Sequence, residues 1–267
     1  MNLHFKQYGE SGSPIIILHG LFGSGRNWQS IATFLAKQHV VYAIDLRNHG
    51  NSPHCDDMNY QQMVDDVLKF LDLNGLQSVN VIGHSMGGKT AMWMALTNPQ
   101  RVNSLVVVDI APIAYQHSFD DVLGALRSVP LQEISSRQDA DEYLAKDIEE
   151  EGLRQFLLQN LQVSSQNWQW RINLDGINQS ISAITGFPET GQLDPFKKRS
   201  LFIAGANSDY LSKENGAKVK QLFPSSRTMT VKEAGHWPHA EKPAVFKALI
   251  KPFFSTEEFQ SKTKTLH

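Results

Sequence analysis

The chain has 267 residues, 41% of them hydrophobic and 19% charged, enough to bury a substantial core as one large α/β domain or as a domain carrying an insertion. Its 25 basic and 27 acidic side chains leave a formal net charge of -2, which gives no electrostatic reason to expect nucleic acid or an anionic membrane surface as partner. A single cysteine, Cys55, excludes an intramolecular disulfide framework and fits a reducing compartment. The start of the chain lacks a basic segment followed by a long apolar run, and no stretch approaches the ~18 apolar residues of a membrane span, so the expectation is a cytoplasmic protein without membrane insertion.

Leu3 to Tyr8 reads as an opening strand closed by the turn Gly9 to Pro14, and the four-residue apolar run Ile15 to Leu18 reads as a central strand. His19-Gly20-Leu21-Phe22-Gly23-Ser24 follows at its carboxyl end, where α/β sheets bind ligands, and leads through Asn27 and Trp28 into a helix ending near Lys37. Val40 to Ile44 is the next strand, and Asp45 to Ser52 a polar turn. The Asp45 and Arg47 charges are read as structural, tying that turn to neighbouring backbone. Tyr60 to Leu71 has a helical apolar face through Met63, Val67, Leu68, Phe70 and Leu71 and is stopped by Gly75.

The most informative stretch is Ser78 to Gly88. Val79, Val81 and Ile82 are β-branched, Lys89 to Leu96 favours helix, and between them Gly83-His84-Ser85-Met86-Gly87 fits G-x-S-x-G, the nucleophile elbow. A serine on so sharp a turn has strained backbone angles, and glycine two positions either side removes side chains that would clash. The turn points the hydroxyl outward and leaves the Met86 amide at a helix N-terminus, where it can stabilise an oxyanion. Cys55 sits in a polar loop without the strand-turn-helix setting and is a poor nucleophile by comparison.

Leu105 to Val108 is a further buried strand ending in Asp109. From Pro112 to about Pro195 the pattern changes to amphipathic charged segments, Val122 to Leu126, Ala140 to Ile148 and Gly152 to Leu161, followed by the polar stretch Trp168 to Arg171. No strong strand is read there, and the expected architecture is a helical cap over residues 112–195, inserted into a core made of 1–111 and 196–267. Strands resume at Ser200 to Ala204 and Arg227 to Val231, as if one sheet had been interrupted. The last strand runs into Ala234-Gly235-His236-Trp237-Pro238-His239, and Pro243 to Phe254 forms a closing helix. In serine, acid, histidine order His236 is the expected base. It is preferred to His239 because Gly235 lets its loop bend toward the serine. The alternation of strands and helices implies a mostly parallel sheet with right-handed crossovers.

With these residues assembled, the chain resembles the α/β-hydrolase superfamily, and within it the small serine esterases of the YbfF and ABHD11 type. The stretches carrying the resemblance are HGLFGSGRNW from His19, DLRNHGNSP from Asp45, GHSMGGKTAM from Gly83, VVVDIAP from Val106 and AGHWPHAEKP from Ala234, spread over nearly the whole length. The resemblance implies hydrolysis of small to medium acyl esters through an acyl-enzyme, with Ser85 as nucleophile, His236 as base, and the amides of Leu21 and Met86 as oxyanion donors. The acid departs from the superfamily pattern. The usual G-x-x-D slot after Leu201 to Ala204 holds Ser208, with Asp209 one residue late, whereas Asp109 ends the preceding strand. Asp109 is therefore the preferred acid, Asp209 the alternative, and Ser208 a possible assistant, as in the YbfF-like subgroup. No metal or organic cofactor is required, and the His and Asp residues lack a metal-ligand cluster. The expected partner is a small-molecule ester or thioester. The rival readings are a thioesterase or acyltransferase with the same triad, and a non-catalytic binding protein of the same fold. Oligomeric state is not readable from the sequence.

Overall fold

The run Ile15 to Leu18 has no solvent exposure at any of its four residues, so this strand is covered on both faces and fixes the middle of a layered structure. In the computed structural model, which describes residues 1–116, 118–165, 167–212 and 214–255, the main-sheet strands are β1 (Phe5–Tyr8), β2 (Ser13–Leu18), β3 (His39–Ile44), β4 (Val79–His84), β5 (Val102–Val108), β8 (Ser200–Gly205) and β9 (Ser226–Val231). Their spatial order is β1-β3-β2-β4-β5-β8-β9, with β1 antiparallel to β3 and every other neighbouring pair parallel.

Alternate residues of each strand face opposite sides. Ile16, Leu18, Val81 and Val107 enter one core with α2 (Tyr60–Leu73) and α3 (Met86–Thr97). Ile15, Ile17, Ile82, Val106 and Val108 enter a second core, with Trp28 of a short 3-10 turn, α1 (Gln29–Leu35) and α11 (Pro243–Phe254). Helix α2 starts with a capping box, Asn59 accepting from the Gln62 amide while the Gln62 side chain accepts from the Asn59 amide, and is followed by Gly75 at φ +66. Helix α3 is buried at every position from Met86 to Leu96, so it has no solvent face: the sheet lies on one side, α2 packs on another, and Lys89 and Trp93 meet the Thr185 to Phe187 stretch.

A further set of elements lies in the chain between β5 and β8, which are hydrogen-bonded neighbours with Val108 opposite Ile203. They are α4 (Asp120–Ser128), α5 (Arg137–Leu144), α6 (Glu151–Leu158), β6 (Leu161–Ser164), β7 (Asn167–Trp170), α7 (Leu174–Gln179) and α8 (Ile181–Thr185). The short helices α9 (Gly216–Leu222) and α10 (Pro238–Glu241) and a 3-10 turn at Pro99–Arg101 complete the described elements. The β6-β7 hairpin corrects the expectation that this region has no strand. Leu161 and Val163 alternate with Gln162 and Ser164, Trp168 and Trp170 alternate with Asn167 and Gln169, and the register places Leu161 opposite Trp170 and Val163 opposite Trp168. The period of two was present in the sequence, but four-residue strands containing two glutamines and no run of β-branched residues carry little strand propensity of their own. Packing holds them instead, Trp170 donating from its indole to the Leu126 carbonyl at 3.0 Å.

Helix α3 comes close to the sheet at Gly87, where a Cβ would stand 2.3 Å from the Leu18 carbonyl oxygen and 2.5 Å from that of His19. Both are backbone atoms of a central strand end and cannot step aside. Gly87→Ala is expected to lose about 3 kcal/mol of stability or more, read as a lowered urea midpoint at unchanged m-value.

Candidate active site

Ser85 occupies the single position between the end of β4 and the start of α3, with φ 50 and ψ -119, a region that L side chains rarely adopt. Two features hold it there. The Ser85 amide donates to the Val108 carbonyl at 3.1 Å and its own carbonyl accepts from the Lys89 amide at 2.9 Å. The flanking glycines let the strand and helix close on each other, since a Cβ on Gly83 would stand 2.3 Å from the Gly87 carbonyl oxygen. Ser85 is half-buried and lines a cavity of about 1270 Å3 together with Leu21, His84 and His236.

Asp109 continues β5 by one residue at φ 51 and is wholly buried. Its Oδ1 accepts from the Gly205 amide at 2.9 Å, and its Oδ2 accepts from the Ser208 hydroxyl and from His236 Nδ1, the latter at 2.8 Å. Three donors from separate segments fix the orientation of this one buried carboxylate. His236 is held on other sides too. Its ring stacks on Tyr210 at 4.1 Å between centroids, and its backbone carbonyl accepts from His84 Nε2 at 2.8 Å. Asp109, Ser208 and His236 are thus in direct contact, whereas Asp209 is exposed. His239, the local competitor, is buried flat against Trp28 with centroids 4.0 Å apart, and its Nδ1 has no partner among the described residues. The Cys55 thiol donates to the Asp57 carbonyl at 3.0 Å, and burial pushes its pKa up, away from thiolate.

The loop after β2 is fixed by two histidines that act reciprocally. His19 Nδ1 donates to the Gly20 carbonyl at 2.8 Å while its Nε2 accepts from the Leu46 amide of the next loop at 3.0 Å. His49, in that next loop, donates from Nδ1 to the Arg47 carbonyl at 2.8 Å and accepts from the Phe22 amide at 3.1 Å. Each ring uses one nitrogen as donor and the other as acceptor, which requires the neutral tautomer. The amides of Leu21 and Met86 have no hydrogen-bond partner among the described residues, and both residues border the space around Ser85. Asp45 and Arg47 do structural work: Asp45 accepts from the Gly25 and Asn51 amides at 2.7 and 2.9 Å, and Arg47 Nε donates to Asp66 at 2.7 Å.

Four residues beside the site were not singled out from the sequence. His84 is one; the variable position of G-x-S-x-G gives no warning that its ring braces the His236 loop. Tyr210 and Asn160 are others. The fourth is Lys89, one helical turn after Ser85, which is buried and donates from Nζ to the Thr185 and Gly186 carbonyls at 2.8 and 2.6 Å. Its spacing from Ser85 was the available signal. Burial lowers its pKa to about 7.

The matching family is the alpha/beta hydrolase fold, over residues 13–243, and the chain belongs to it. It is 42% identical over 252 residues to the sn-1-specific diacylglycerol lipase ABHD11 of Xenopus tropicalis, covering 91% of this chain and 78% of that one. It is 36% identical to esterase YbfF of Escherichia coli (strain K12), over 91% of this chain and 94% of that one. A solved marine microorganism esterase is 41% identical, with a TM-score of 0.92 over 95% of this chain and 99% of that one.

Four histidines around this site, His19, His49, His84 and His239, are held below the ordinary histidine pKa by burial, His49 and His239 to about 3. Between that value and the ordinary 6.5 the unfolded chain takes up protons that the folded chain refuses. Stability is therefore unaffected above the ordinary value and falls as pH drops below it, by up to about 1.4 kcal/mol per pH unit for each such group. Urea unfolding is expected to show a midpoint that declines steadily from pH 6.5 to pH 4.5, while the midpoints at pH 7 and 8 coincide as far as these four groups are concerned.

Proposed function

We propose that the protein is a serine carboxylesterase that hydrolyses small to medium acyl esters through an acyl-enzyme. The observation that carries this reading is the chain of contacts from the buried Asp109 carboxylate to His236 at 2.8 Å, on the cavity wall that also holds a serine in the strained elbow conformation. The esterase and lipase names of the relatives support the same reaction class.

In the proposed mechanism Asp109 fixes the His236 tautomer with the proton on Nδ1, leaving Nε2 as the base. Nε2 takes the Ser85 proton as the oxygen attacks the ester carbonyl, and the Asp109 charge stabilises the imidazolium. The Leu21 and Met86 amides receive the oxyanion, each worth about 3 kcal/mol of barrier, with the N-terminus of α3 adding its dipole behind Met86. His236 then protonates the departing alcohol. Water, deprotonated by the same nitrogen, attacks the acyl-serine and releases the acid and Ser85. Ser208 assists by donating to Asp109, which keeps the carboxylate aimed at His236. Phe119, Val122, Leu153, Phe156 and Leu158 line the cavity and give the acyl or alcohol chain an apolar wall. A cytoplasmic setting is supported by the one unpaired thiol.

Ser85→Ala is expected to abolish hydrolysis of a chromogenic short-acyl ester and covalent labelling by a fluorophosphonate, with circular dichroism unchanged. Retained turnover in Ser85→Ala overturns the mechanism. Asp109→Asn is expected to lower kcat on the order of a thousandfold or more, because the amide no longer selects the productive tautomer. Asp209→Asn is expected to stay within about twofold of the parent, since the side chain is exposed. A larger loss in the second variant would reassign the acid. Rates on esters and thioesters of matched acyl length, measured with the same preparation, decide the leaving group.

A further inference from the structure

The Leu21 to Phe22 segment carries more constraint than an ordinary strand-to-helix turn. Phe22 is in the left-handed region at φ 60, unfavourable for a bulky aromatic residue, and is buried. Both its backbone groups are tied. Its amide donates to His49 Nε2 at 3.1 Å, from the core side. Its carbonyl accepts from Asn160 Nδ2 at 2.7 Å, from the inserted region. Asn160 is itself almost fully buried and is fixed at the junction of α6 and β6: its amide donates to the Leu157 carbonyl at 3.0 Å, its side chain contacts the same carbonyl at 3.2 Å, and its own carbonyl accepts from the Arg171 amide at 2.8 Å, at the open end of the β6-β7 hairpin. One residue earlier, Gln159 accepts from the Asn27 side chain at 2.6 Å, a second strut from the insertion to the same loop.

His49 thus holds the Leu21–Phe22 peptide and Asn160 the Phe22–Gly23 peptide, whose Gly23 amide donates to the Gly20 carbonyl at 3.0 Å; that carbonyl shares its peptide plane with the Leu21 amide, the one assigned to the oxyanion. We propose that Asn160 is a positioning residue for the oxyanion site: the inserted region, besides covering the cavity, supplies one jaw of the clamp that aims the Leu21 amide. Asn160 touches no reacting atom; it acts through the Phe22 carbonyl. This rests on the serine-esterase reading above and adds that the oxyanion site is complete only with the insertion docked. Misplacing a donor by about an ångström is costly because the hydrogen bond must meet charge that exists only in the transition state.

The test compares Asn160→Ala with the parent on a short-acyl ester, with rates normalised to sites titrated by a fluorophosphonate so that misfolded protein does not count. The expected result is a fall in kcat on the order of tenfold to a hundredfold, with KM within about twofold, because the loss falls on the transition state and not on the bound ester. A structural role alone would reduce titratable sites without changing the turnover of those that remain. The second readout is inhibition by an aryl trifluoromethyl ketone, to whose carbonyl carbon Ser85 Oγ adds while the serine proton passes to His236 and the ketone oxygen becomes an oxyanion. Its Ki should rise by the same factor as kcat falls. Asn160→Asp, which keeps the shape but lacks the N–H, should give the same two changes and serves if the alanine variant folds poorly. Per-site kcat within twofold of the parent, or an unchanged Ki, overturns the proposal. Should the parent itself fail to hydrolyse esters, or Ser85→Ala keep its activity, the esterase reading fails first; a normal parent with a normal Asn160→Ala removes this inference alone.

Discussion

Everything near the cavity depends on how closely β4 and α3 meet at Ser85. Turning a chain from strand to helix within one residue forces that residue to positive φ, and it brings the Gly83, Gly87 and Gly88 backbones against one another and against the end of β2. The strain is sustained because both flanking elements are buried and hydrogen-bonded before the turn is reached: β4 lies between β2 and β5, and α3 is enclosed along its length. A local sequence preference does not hold the serine in this conformation. The sheet does, and the glycines are the condition for it.

Around that turn the polar groups form a set of braces. Asp109 collects three donors from three segments of chain, β8, the loop after it, and the loop after β9. His84 reaches from the elbow to the backbone of His236, and His19 and His49 hold two neighbouring loops to each other. A Cβ on Gly20 would come within 2.7 Å of His84 Nδ1 and 3.2 Å of Ser85 Cβ, so the same histidine also sets how near the loop after β2 lies to the serine. Buried polar groups of this kind are costly when half satisfied and confer a unique geometry when fully paired. The unpartnered Nδ1 of His239 is the one clear exception among these rings, and its flat contact with Trp28 offers packing in place of a hydrogen bond.

Much of this was legible in the sequence. The apolar runs at Ile15, Val40, Val79, Leu105 and Leu201 mark the buried parallel strands because such strands need no alternation, and each observed strand contains the run assigned to it. The proposed order of serine, acid and histidine follows from where those strands end. Counting to Ser208 in the slot after β8 was enough to doubt Asp209, since a one-residue offset at a strand end turns a side chain elsewhere; the structure leaves Asp209 exposed and puts the Ser208 hydroxyl on Asp109. The β6-β7 hairpin was missed because its strands are too short and polar to be told from amphipathic helix, and their stability comes from contacts distant in the chain. His84 and Asn160 were not legible because their importance lies in which carbonyl they meet, His236 and Phe22, and no local pattern encodes such a meeting.

The adjacency of β5 and β8 has a further consequence, in the order of assembly. Strands β1 to β5 pair through crossovers of ordinary length, while β8 must find β5 after the whole inserted region has been made. Asp109 ends β5, yet its amide donates to Ile203 in β8 and its carboxylate is completed by Gly205 and Ser208. The strained serine can form with the first half of the sheet. The carboxylate proposed as its acid has these partners only where β8 lies against β5, so in the proposed mechanism the elbow is activated only once the long connection between those two strands has closed.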